Sequence, residues 1–566
     1  MSPHRIAIVG FGPKGLFALE RLLHYASGGG SPASLKIDLF EPHPVLAAGP
    51  VYDPRQPRYL RMNFAAEQVD MWPASTRAVP AREALSFSAW RDSQETPERE
   101  EYPPRAQVGR YLAAGFDTLL AHAPAGVEIE LRPASVRAIR REPSGWRIAT
   151  CDPAAKDPKH DMATARTRTT YDEVLVAVGH QPRWTQGLDV AWPHHAPLVP
   201  SVFPVKRRLG PEPDRPSRLS REIREGIAPG SIVAVRGFAL TFIDAALALT
   251  EGRGGSFSET AHPYRLAYSP ANGEAAAIVP FSRSGRPMLA KPSPRQAANS
   301  PALEAIAEPG RRRVLALADG FSVERDLIAI VDAVAEESLI AAAGADRAPA
   351  EGPTAELERS LAIAVGEERP DMQWALGHAW RAVYPAIVAR LGGDGIVTSE
   401  WPRFRVLAAR MERVAFGPPV VNAAKLLALI DAGRVDVSHL RGEITSDFSE
   451  TSITSAAGRR EVDVVVDAVL PGPGAIGLRS ELLEQLVADG HARIAPRRRG
   501  LEVNEEAACI GADGNHSPGL AAIGRPTEDS VIGNDTLSRT LHPNADRWAR
   551  GVAERCAETV AGATLA

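Results

Sequence analysis

The start of the chain contains a glycine pattern that few folds accommodate. The apolar run Ile6 to Val9 has the length of a buried parallel strand, and Gly10, Gly12 and Gly15 follow it at G-x-G-x-x-G spacing. Leucines then recur at helical period, so the pattern predicts a strand, a tight turn and a helix. In such a unit the glycines permit the turn, the approach of a pyrophosphate to the backbone and the packing of the helix. We therefore predict a dinucleotide site here, with an ordinary βαβ turn as the alternative.

The N-terminus of the helix that follows the turn would bind the phosphates, and Pro13 and Lys14 of the turn are placed among the cofactor contacts. Free N–H groups and the helix dipole favour anions at that position. A second strand, Lys36 to Phe40, ends at Glu41. A carboxylate after the second strand of such a unit accepts hydrogen bonds from a ribose diol, so we assign that role to Glu41.

Composition excludes several other classes of protein. The chain has 566 residues, which suggests three or four domains of about 150 residues. A net charge of −4 argues against a nucleic-acid or membrane-surface partner. The three cysteines form no C-x-x-C, which argues against a disulfide reductase, an iron–sulfur cluster or a metal site. No apolar run approaches the ~18 residues of a membrane span and no signal peptide is evident, so we expect a cytoplasmic protein.

A long connection punctuated by prolines runs from Glu41 to about Arg105. Connections of this length inside a compact domain are usually functional, and in flavoproteins this region covers the isoalloxazine ring. Asn63, Met71 and Trp72 are therefore candidate neighbours of the ring, and packing within a covering loop is the alternative. Arg105 could pair with a cofactor phosphate or lie exposed.

The next strands return to the first domain and then close it. Val136 begins one of them, and we place it among the cofactor contacts. The apolar run Val174 to Val178 stops at Gly179, with His180 after it. A strand that ends in this way closes the cofactor domain of flavoenzymes that bind two dinucleotides. Gly179 and His180 are candidates near the flavin or nicotinamide, and a structural role for His180 is the alternative.

A second unit repeats the opening pattern in degraded form. A strand, Ile232 to Val235, meets a turn at Gly237, and a helix runs to about Thr250. Ala239 and Phe242 stand where the second and third glycines would be, so the unit is either a nucleotide site or a structural βα unit. The residues that we expect at a cofactor here are Arg236, Gly237 and Thr241.

The strand after this helix should be Tyr264 to Tyr268. Its end has no acidic residue, while Arg253, Arg283 and Arg286 lie nearby in sequence. A site without the carboxylate but with arginines favours a 2′-phosphate. We therefore expect NADPH rather than NADH.

The last strand also ends in glycine shortly before the final helix. In flavoproteins of this kind, backbone N–H groups from that turn polarise the flavin pyrimidine. Gly524 and Asn534 are our candidates, with a plain βα turn as the alternative. The residues between about Ala302 and Leu391 show helical periodicity, and Arg381 is their candidate ligand.

Together these features predict an α/β fold with two Rossmann-like dinucleotide-binding domains and a helical insertion. The FAD domain would be discontinuous and the NAD(P)H domain inserted into it. The expected divisions are 1–185 for the first part of the FAD domain, 186–300 for the NAD(P)H domain, 301–415 for a helical substrate cap and 416–566 for the return to both domains.

Two nucleotide units without a redox cysteine pair indicate a flavoprotein reduced by a nicotinamide. Its electrons must pass to something other than an internal disulfide, and oxygen is the simplest acceptor. Reduced flavin forms a C4a-hydroperoxide with oxygen, which a dry pocket protects. FAD, NADPH and O2 are therefore the expected cofactors and co-substrate.

The chain resembles a bacterial FAD/NAD(P)-binding family that includes flavin-dependent aspartate N-hydroxylases, which make nitrosuccinate, and members described as urate hydroxylases. The resemblance rests on five stretches: Gly10-Phe-Gly-Pro-Lys-Gly15, Arg105 with Gly109-Arg-Tyr-Leu112, Val178-Gly-His-Gln-Pro182, Arg236-Gly-Phe-Ala-Leu-Thr-Phe-Ile-Asp244 with Leu249-Thr-Glu-Gly-Arg-Gly-Gly255, and Gly524-Arg-Pro-Thr with Gly533-Asn-Asp535. The second unit departs from the family, whose members usually have R-G-L-G where this chain has Arg236-Gly-Phe-Ala239.

The resemblance implies NADPH- and O2-dependent hydroxylation of the amine of a small amino acid. A dicarboxylic substrate would need fixed cations, for which Arg283, Arg286 and Arg381 are candidates, and the protein could be a homo-oligomer. Another flavin hydroxylase of the urate type, an oxidase and a non-catalytic flavin- or nucleotide-binding protein are the alternatives. The sequence assigns no catalytic acid or base.

Overall fold

A computed structural model describes residues 3–565, apart from 29–33, 96–99, 152–164, 182, 211–226, 293–299, 346, 393–394, 448–449 and 535. Pro182 and Asp535, which belong to the motifs above, therefore lie outside the described residues. The strands are β1 His4–Val9, β2 Leu35–Phe40, β3 Val127–Arg132, β4 Ser135–Glu142, β5 Gly145–Cys151, β6 Ala165–Tyr171, β7 Glu173–Val176, β8 Leu198–Val199, β9 Ile232–Arg236, β10 Ser256–Glu259, β11 Leu266–Ser269, β12 Ala277–Phe281, β13 Glu443–Asp447, β14 Glu450–Ser455, β15 Gly458–Glu461, β16 Val464–Asp467, β17 Ala508–Ile510 and β18 His516–Ala522.

The α-helices, with short 3₁₀ turns between some of them, are α1 Pro13–Ala26, α2 Phe87–Asp92, α3 Arg105–Ala121, α4 Val205–Leu209, α5 Leu240–Leu249, α6 Pro301–Leu315, α7 Ile328–Ala341, α8 Gly352–Val365, α9 Met372–Leu391, α10 Trp401–Ala415, α11 Val420–Asp431, α12 Glu481–Ala488 and α13 Asn544–Leu565. A π-helical segment, Val323–Leu327, leads into α7.

The first unit is a six-stranded sheet in the order β17-β18-β7-β1-β2-β3. Strand β1 pairs in parallel with β2 and β7, and β18 pairs in parallel with β7. The carboxyl ends of these strands therefore meet at one edge, where open α/β sheets bind ligands. Helices α1 and α3 pack on this sheet through a core that includes Leu16, Leu19 and Phe116.

The second unit is a four-stranded parallel sheet in the order β12-β9-β16-β8. The prediction that Tyr264 to Tyr268 is the strand that follows α5 and pairs with β9 was wrong. That region contributes β11 to a separate antiparallel hairpin with β10. The next strand after α5 that pairs in parallel with β9 is β12, which contains Pro280. Since β12 is an edge strand of this sheet, the missing N–H of Pro280 is tolerated there.

A helical region follows, in which α6, α7, α9 and α10 pack around their own core. Trp380 and Trp401 are fully buried there. Two smaller antiparallel sheets, β4-β5-β6 and β13-β14-β15, complete the described structure. The predicted α/β class with two parallel units and a helical insertion is confirmed. Among the described residues, no helix is both long enough and apolar enough to cross a bilayer.

Candidate functional site

The three glycines of the first turn have different surroundings. Gly10 has φ +91°, and a Cβ there would lie 2.8 Å from the carbonyl oxygen of Ala177. A Cβ on Gly15 would lie 2.5 Å from the carbonyl oxygen of Gly10. Gly12 has no atom within 4 Å of the position of a Cβ among the described residues. Gly10 and Gly15 therefore keep the turn and helix closely packed, while Gly12 presents an open backbone face on which a diphosphate fits.

The N-terminus of α1 borders this open face. Gly12 is the N-cap residue and provides no side-chain cap, and the first helical turn has no acidic residue. The helix begins at Pro13. The side chain of Lys14 lies 3.4 Å from the position that a Cβ on Gly524 would occupy. The turn after β18 therefore lies against the first glycine turn.

Glu41 lies beside the same turn. Its carboxylate is almost fully buried and accepts the backbone N–H groups of Phe11 and His43, each at 2.8 Å. Each carboxylate oxygen has a second lone pair that could accept a ribose hydroxyl. The position of Glu41 at the carboxyl end of β2 is the one that the sequence predicts, and its ribose contact stays a prediction.

The long connection from Glu41 to Arg105, here called the covering segment, connects the first unit to the second. The backbone N–H of Met62 donates to the carbonyl of Pro103, and the N–H of Arg105 donates to the carbonyl of Leu60. Leu60 lies in the core of the second unit and Met62 in the core of the first. Residues 60–63 therefore pass between the two units.

The three predicted neighbours of the flavin ring are not equivalent. Met71 is fully buried, and its sulfur fills the space beside Gly115 of α3. Trp72 is also in the core of the first unit. Asn63 is half-buried, and its Nδ2 donates to the carbonyl of Phe416. Asn63 is thus the one whose side chain lies between the first unit and the helical region.

Arg105 has a protein partner. Its Nη2 lies 2.8 Å from Oδ2 of Asp244 on α5, and its guanidinium also stacks on Phe203. The structure thus gives Arg105 a role in joining α3 to α5, so its proposed pairing with a cofactor phosphate has no support here. Burial raises the pKa of Asp244, and the positive charge of Arg105 opposes that rise.

The remaining candidates of the first unit lie at its periphery. Val136 is half-buried on β4 and packs beside the core that contains Trp146. Gly179 and His180 are exposed just after β7, at the carboxyl edge of the sheet. Their cofactor contacts stay predictions.

The glycine turn of the second unit is formed without its third glycine. Gly237 has φ +110° and lies close to the carbonyl of Ala468, which follows β16. Phe242 is fully buried in the core and so replaces a close helix–strand contact with a large side chain. Thr241 is half-buried in the first turn of α5. Ala239 is the exposed N-cap residue of α5, which leaves the N-terminus of this helix accessible to an anion.

Arg236 is held beside this turn by a carboxylate. Its Nη1 donates to Oδ2 of Asp467 at 3.0 Å and to the carbonyl of Gln186 at 3.0 Å. Asp467 is buried, and it also accepts the backbone N–H groups of Leu188 and Val469. Arg236 therefore fixes the end of β9, and its direct contact with a cofactor stays a prediction.

The three arginines expected near a 2′-phosphate differ in whether their side chains are free to contact a ligand. Arg253 is buried and donates to the carbonyls of Ile227, Gly273 and Leu209, so its role is structural. Arg286 pairs with Glu356. Arg283 is exposed and follows directly after β12. Since β12 is the next strand after α5 that pairs in parallel with β9, Arg283 stays the candidate for binding a 2′-phosphate.

Asn534 stabilises the last loop from within. Its side chain is buried, and Nδ2 donates to Oγ1 of Thr527 at 2.9 Å and to the carbonyl of Val531 at 2.8 Å. Its backbone N–H donates to Glu528. Gly524 has φ +79° and begins the short 3₁₀ turn that follows β18. Gly524 is thus positioned for a backbone contact, whereas the amide of Asn534 is engaged with its own loop.

A cationic cluster lies between the covering segment and the helical region. Arg381 of α9 donates from Nη1 to the carbonyl of Ala415 at 2.8 Å. Lys291 donates from Nζ to the carbonyl of Asn63 and lies 5.4 Å from the ring centre of Tyr102. Sequence reasoning singled out Arg381 but missed Lys291, because only the fold brings residues 63, 102, 291 and 381 together. Among the described residues, no carboxylate forms an ion pair with either cation.

Comparison with known protein families agrees with the prediction made for the first unit. Residues 7–181 match the family model described as FAD-NAD(P)-binding. The expected FAD/NAD(P)-binding sequence is thereby confirmed for this part of the chain, and the open face at Gly12 fits the diphosphate of FAD.

Two curated relatives have names that state an activity. A protein of Aspergillus oryzae named nitrosuccinic acid synthase npaA is 32% identical over 290 residues, covering 50% of this chain and 41% of that protein. An L-aspartate N-monooxygenase (nitrosuccinate-forming) of Streptomyces davaonensis is 26% identical over 355 residues, covering 58% of this chain and 51% of that protein. The chain spans about half the length of these curated relatives. A solved L-lysine 6-monooxygenase from Pseudomonas syringae superimposes with a TM-score of 0.44 at 13% identity, covering 98% of this chain and 100% of that one, a likeness too low to bear on function.

Proposed function

We propose that this protein is an FAD-dependent monooxygenase that uses NADPH and O2 to hydroxylate the amine of a small, aspartate-like amino acid. The observation that carries the proposal is the presence of two glycine turns, each at the carboxyl end of a parallel strand in its own sheet. One chain with two such turns can hold both a flavin and the nicotinamide that reduces it. The relatives named as aspartate N-monooxygenases support this class of substrate.

The residues of the first unit have distinct parts in this proposal. The open backbone at Gly12 and the N-terminus of α1 would hold the diphosphate, and the carboxylate of Glu41 would hold the ribose. When bound, FAD supplies the chemistry, because it accepts a hydride and activates oxygen. In the second unit, the N-terminus of α5 and Arg283 would hold the phosphates of NADPH.

The test is a coupled assay on the purified protein. NADPH oxidation, oxygen consumption and product should be measured with aspartate, with asparagine and without an amino acid. We expect aspartate to raise oxygen consumption several-fold and to give a hydroxylamine or nitro product. If NADPH oxidation proceeds at one rate with every amino acid, the proposal of an amine hydroxylase is wrong and an oxidase is favoured.

The degraded second unit is the one feature that favours another function. Phe242 and Ala239 replace two glycines, so nicotinamide binding could be weak or lost. A flavin- or nucleotide-binding protein without catalysis would then be yellow but would not be bleached by NADPH. The same purified sample distinguishes the two functions.

A further inference from the structure

The cationic cluster at Lys291 and Arg381 has an unusual electrostatic state. Burial and, as the smaller cause, the positive charge of Arg381 together lower the pKa of Lys291 to about 7. Burial also lowers the pKa of Arg381 to about 10. Two like charges within a protein are unfavourable unless an anion compensates them. The described residues supply no such anion, and the neighbouring segment 293–299 has no acidic residue in its sequence.

The donors of this cluster are only partly used. Lys291 has three N–H groups and Arg381 has five. The structure shows one hydrogen bond from the side chain of each to a described residue. Both side chains are half-buried rather than fully covered. The remaining N–H groups can therefore bind a small anion without displacing a protein partner.

Two neighbouring polar atoms also lack partners within the described part of the chain. They are Oδ1 of Asn63 and Nε2 of His378, both buried. His378 stacks on Trp374 at 5.3 Å, and burial, together with the charge of Arg381, lowers its pKa to about 4. It is therefore a neutral ring in this environment. A ligand with both donors and acceptors would satisfy these atoms.

We propose that Lys291 and Arg381 together bind the two carboxylates of a dicarboxylic amino acid, with Asn63 beside its amine. This inference rests on the proposed function, because it names where that substrate binds. Asn63 connects the cluster to the segment 60–63 that passes between the two nucleotide units, so a ligand held here lies at their junction. Arg286 and Arg283 are less suited to this role, since the former pairs with Glu356 and the latter is exposed at the end of β12.

A structural role for the two cations predicts different mutant behaviour from a binding role. If they hold the fold together, their removal should lower stability. If they are an uncompensated anion site, replacing either by an apolar side chain of similar length should leave the ligand-free protein as stable or more stable. Ligand affinity should fall at the same time.

The experiment uses the purified protein with its bound flavin, and succinate as the probe because it has both carboxylates but no amine to oxidise. We would measure the thermal midpoint and the succinate Kd for wild type, Lys291→Met and Arg381→Met. The matched controls are Lys206→Met and Arg312→Met, two exposed cations. We expect each cluster variant to raise the succinate Kd at least tenfold without lowering the ligand-free midpoint, and the controls to match wild type.

Unchanged succinate affinity in both cluster variants would overturn the inference, whether or not the ligand-free variants lose stability. Because succinate binding needs neither NADPH nor turnover, this result is independent of the proposed reaction. If NADPH fails to reduce the wild-type flavin but succinate binds and needs both cations, the reaction proposal fails and the anion site stands. If aspartate is hydroxylated but the succinate Kd does not depend on either cation, only this inference fails.

Discussion

The guanidinium of Arg105 lies 2.8 Å from the carboxylate of Asp244 and so connects α3 of the first unit to α5 of the second. Arg105 is the first residue of α3, and Asp244 lies in the first half of α5. Asp244 is 2% exposed, so the arginine is what makes its negative charge tolerable. This contact fixes the first unit against the second through two helices that are far apart in sequence.

Arg105→Ala should therefore destabilise the protein strongly. Removing one partner of a buried ion pair costs about 3 kcal/mol, because the remaining charge is unpaired. Arg105→Ala/Asp244→Asn should recover part of this loss. Burial raises the pKa of Asp244 above its unfolded value, so the native state binds a proton more readily and its stability rises as pH falls. The deficit of Arg105→Ala should thus be larger at pH 8 than at pH 5 in urea unfolding, and a deficit independent of pH would contradict this account.

Gly12→Ala and Gly15→Ala should have opposite phenotypes. A Cβ on Gly12 meets no described atom within 4 Å, so this variant should fold with a loss of about 1 kcal/mol or less at the helix N-cap. The added methyl group would occupy the face expected for the diphosphate, and we expect flavin occupancy to fall at least tenfold. Gly15→Ala forces a contact of 2.5 Å with the backbone and should lower the thermal midpoint of the protein. Absorbance at purification and circular dichroism measure both effects. Full flavin occupancy in Gly12→Ala would argue against a cofactor at this turn.

Arg283→Ala should raise the KM for NADPH about tenfold, the effect of losing one charge-assisted contact to a phosphate. The KM for NADH should change less than twofold, because NADH lacks the 2′-phosphate. Arg286→Ala is the matched comparison, since Arg286 pairs with Glu356, which Arg413 also contacts. Equal effects of Arg283→Ala on both nicotinamides would show that Arg283 does not recognise this phosphate.

Succinate affinity should depend on pH through Lys291. Arg381 is the described charged group that acts on Lys291, and it stays cationic up to about pH 10; Tyr102, beside Lys291, and His378, on which Arg381 acts, are neutral near pH 7 to 8. Lys291 has a pKa of about 7 without ligand, and an anion would raise it. Affinity is therefore greatest below pH 7 and should fall by up to about tenfold per pH unit above it. Titration calorimetry measures this slope, which Lys291→Met should abolish; a wild-type Kd constant from pH 6 to pH 9 would contradict the assignment.

The parts of this fold that sequence predicts are those with local causes. The close contact between Gly15 and the carbonyl of Gly10 lies within the turn itself, so the glycine spacing is sufficient to predict the turn, although Gly10 also packs against the distant Ala177. Phe242 could be recognised as a departure, but only the packed structure shows that it fills a core. Strand β12 was not predicted because Pro280 is atypical of a strand, and nothing in the local sequence shows that β12 lies at a sheet edge.

The candidate site was less predictable because its contacts are distant in sequence. Arg105 and Arg236 were expected at cofactors, and each pairs with a carboxylate that the sequence does not place beside it, Asp244 and Asp467. Lys291 lies in a proline-containing loop with no recognisable motif. Its significance depends on its position relative to Arg381, which only the tertiary structure provides.

The most direct test of the account is the visible spectrum of the purified protein, recorded under nitrogen before and after NADPH is added. We predict flavin absorption bands in the isolated protein and their loss on reduction by NADPH, followed by their return when oxygen is admitted. A protein that is colourless, and from which mass spectrometry recovers no FAD, would contradict the central claim that the turn at Gly12 holds a flavin dinucleotide.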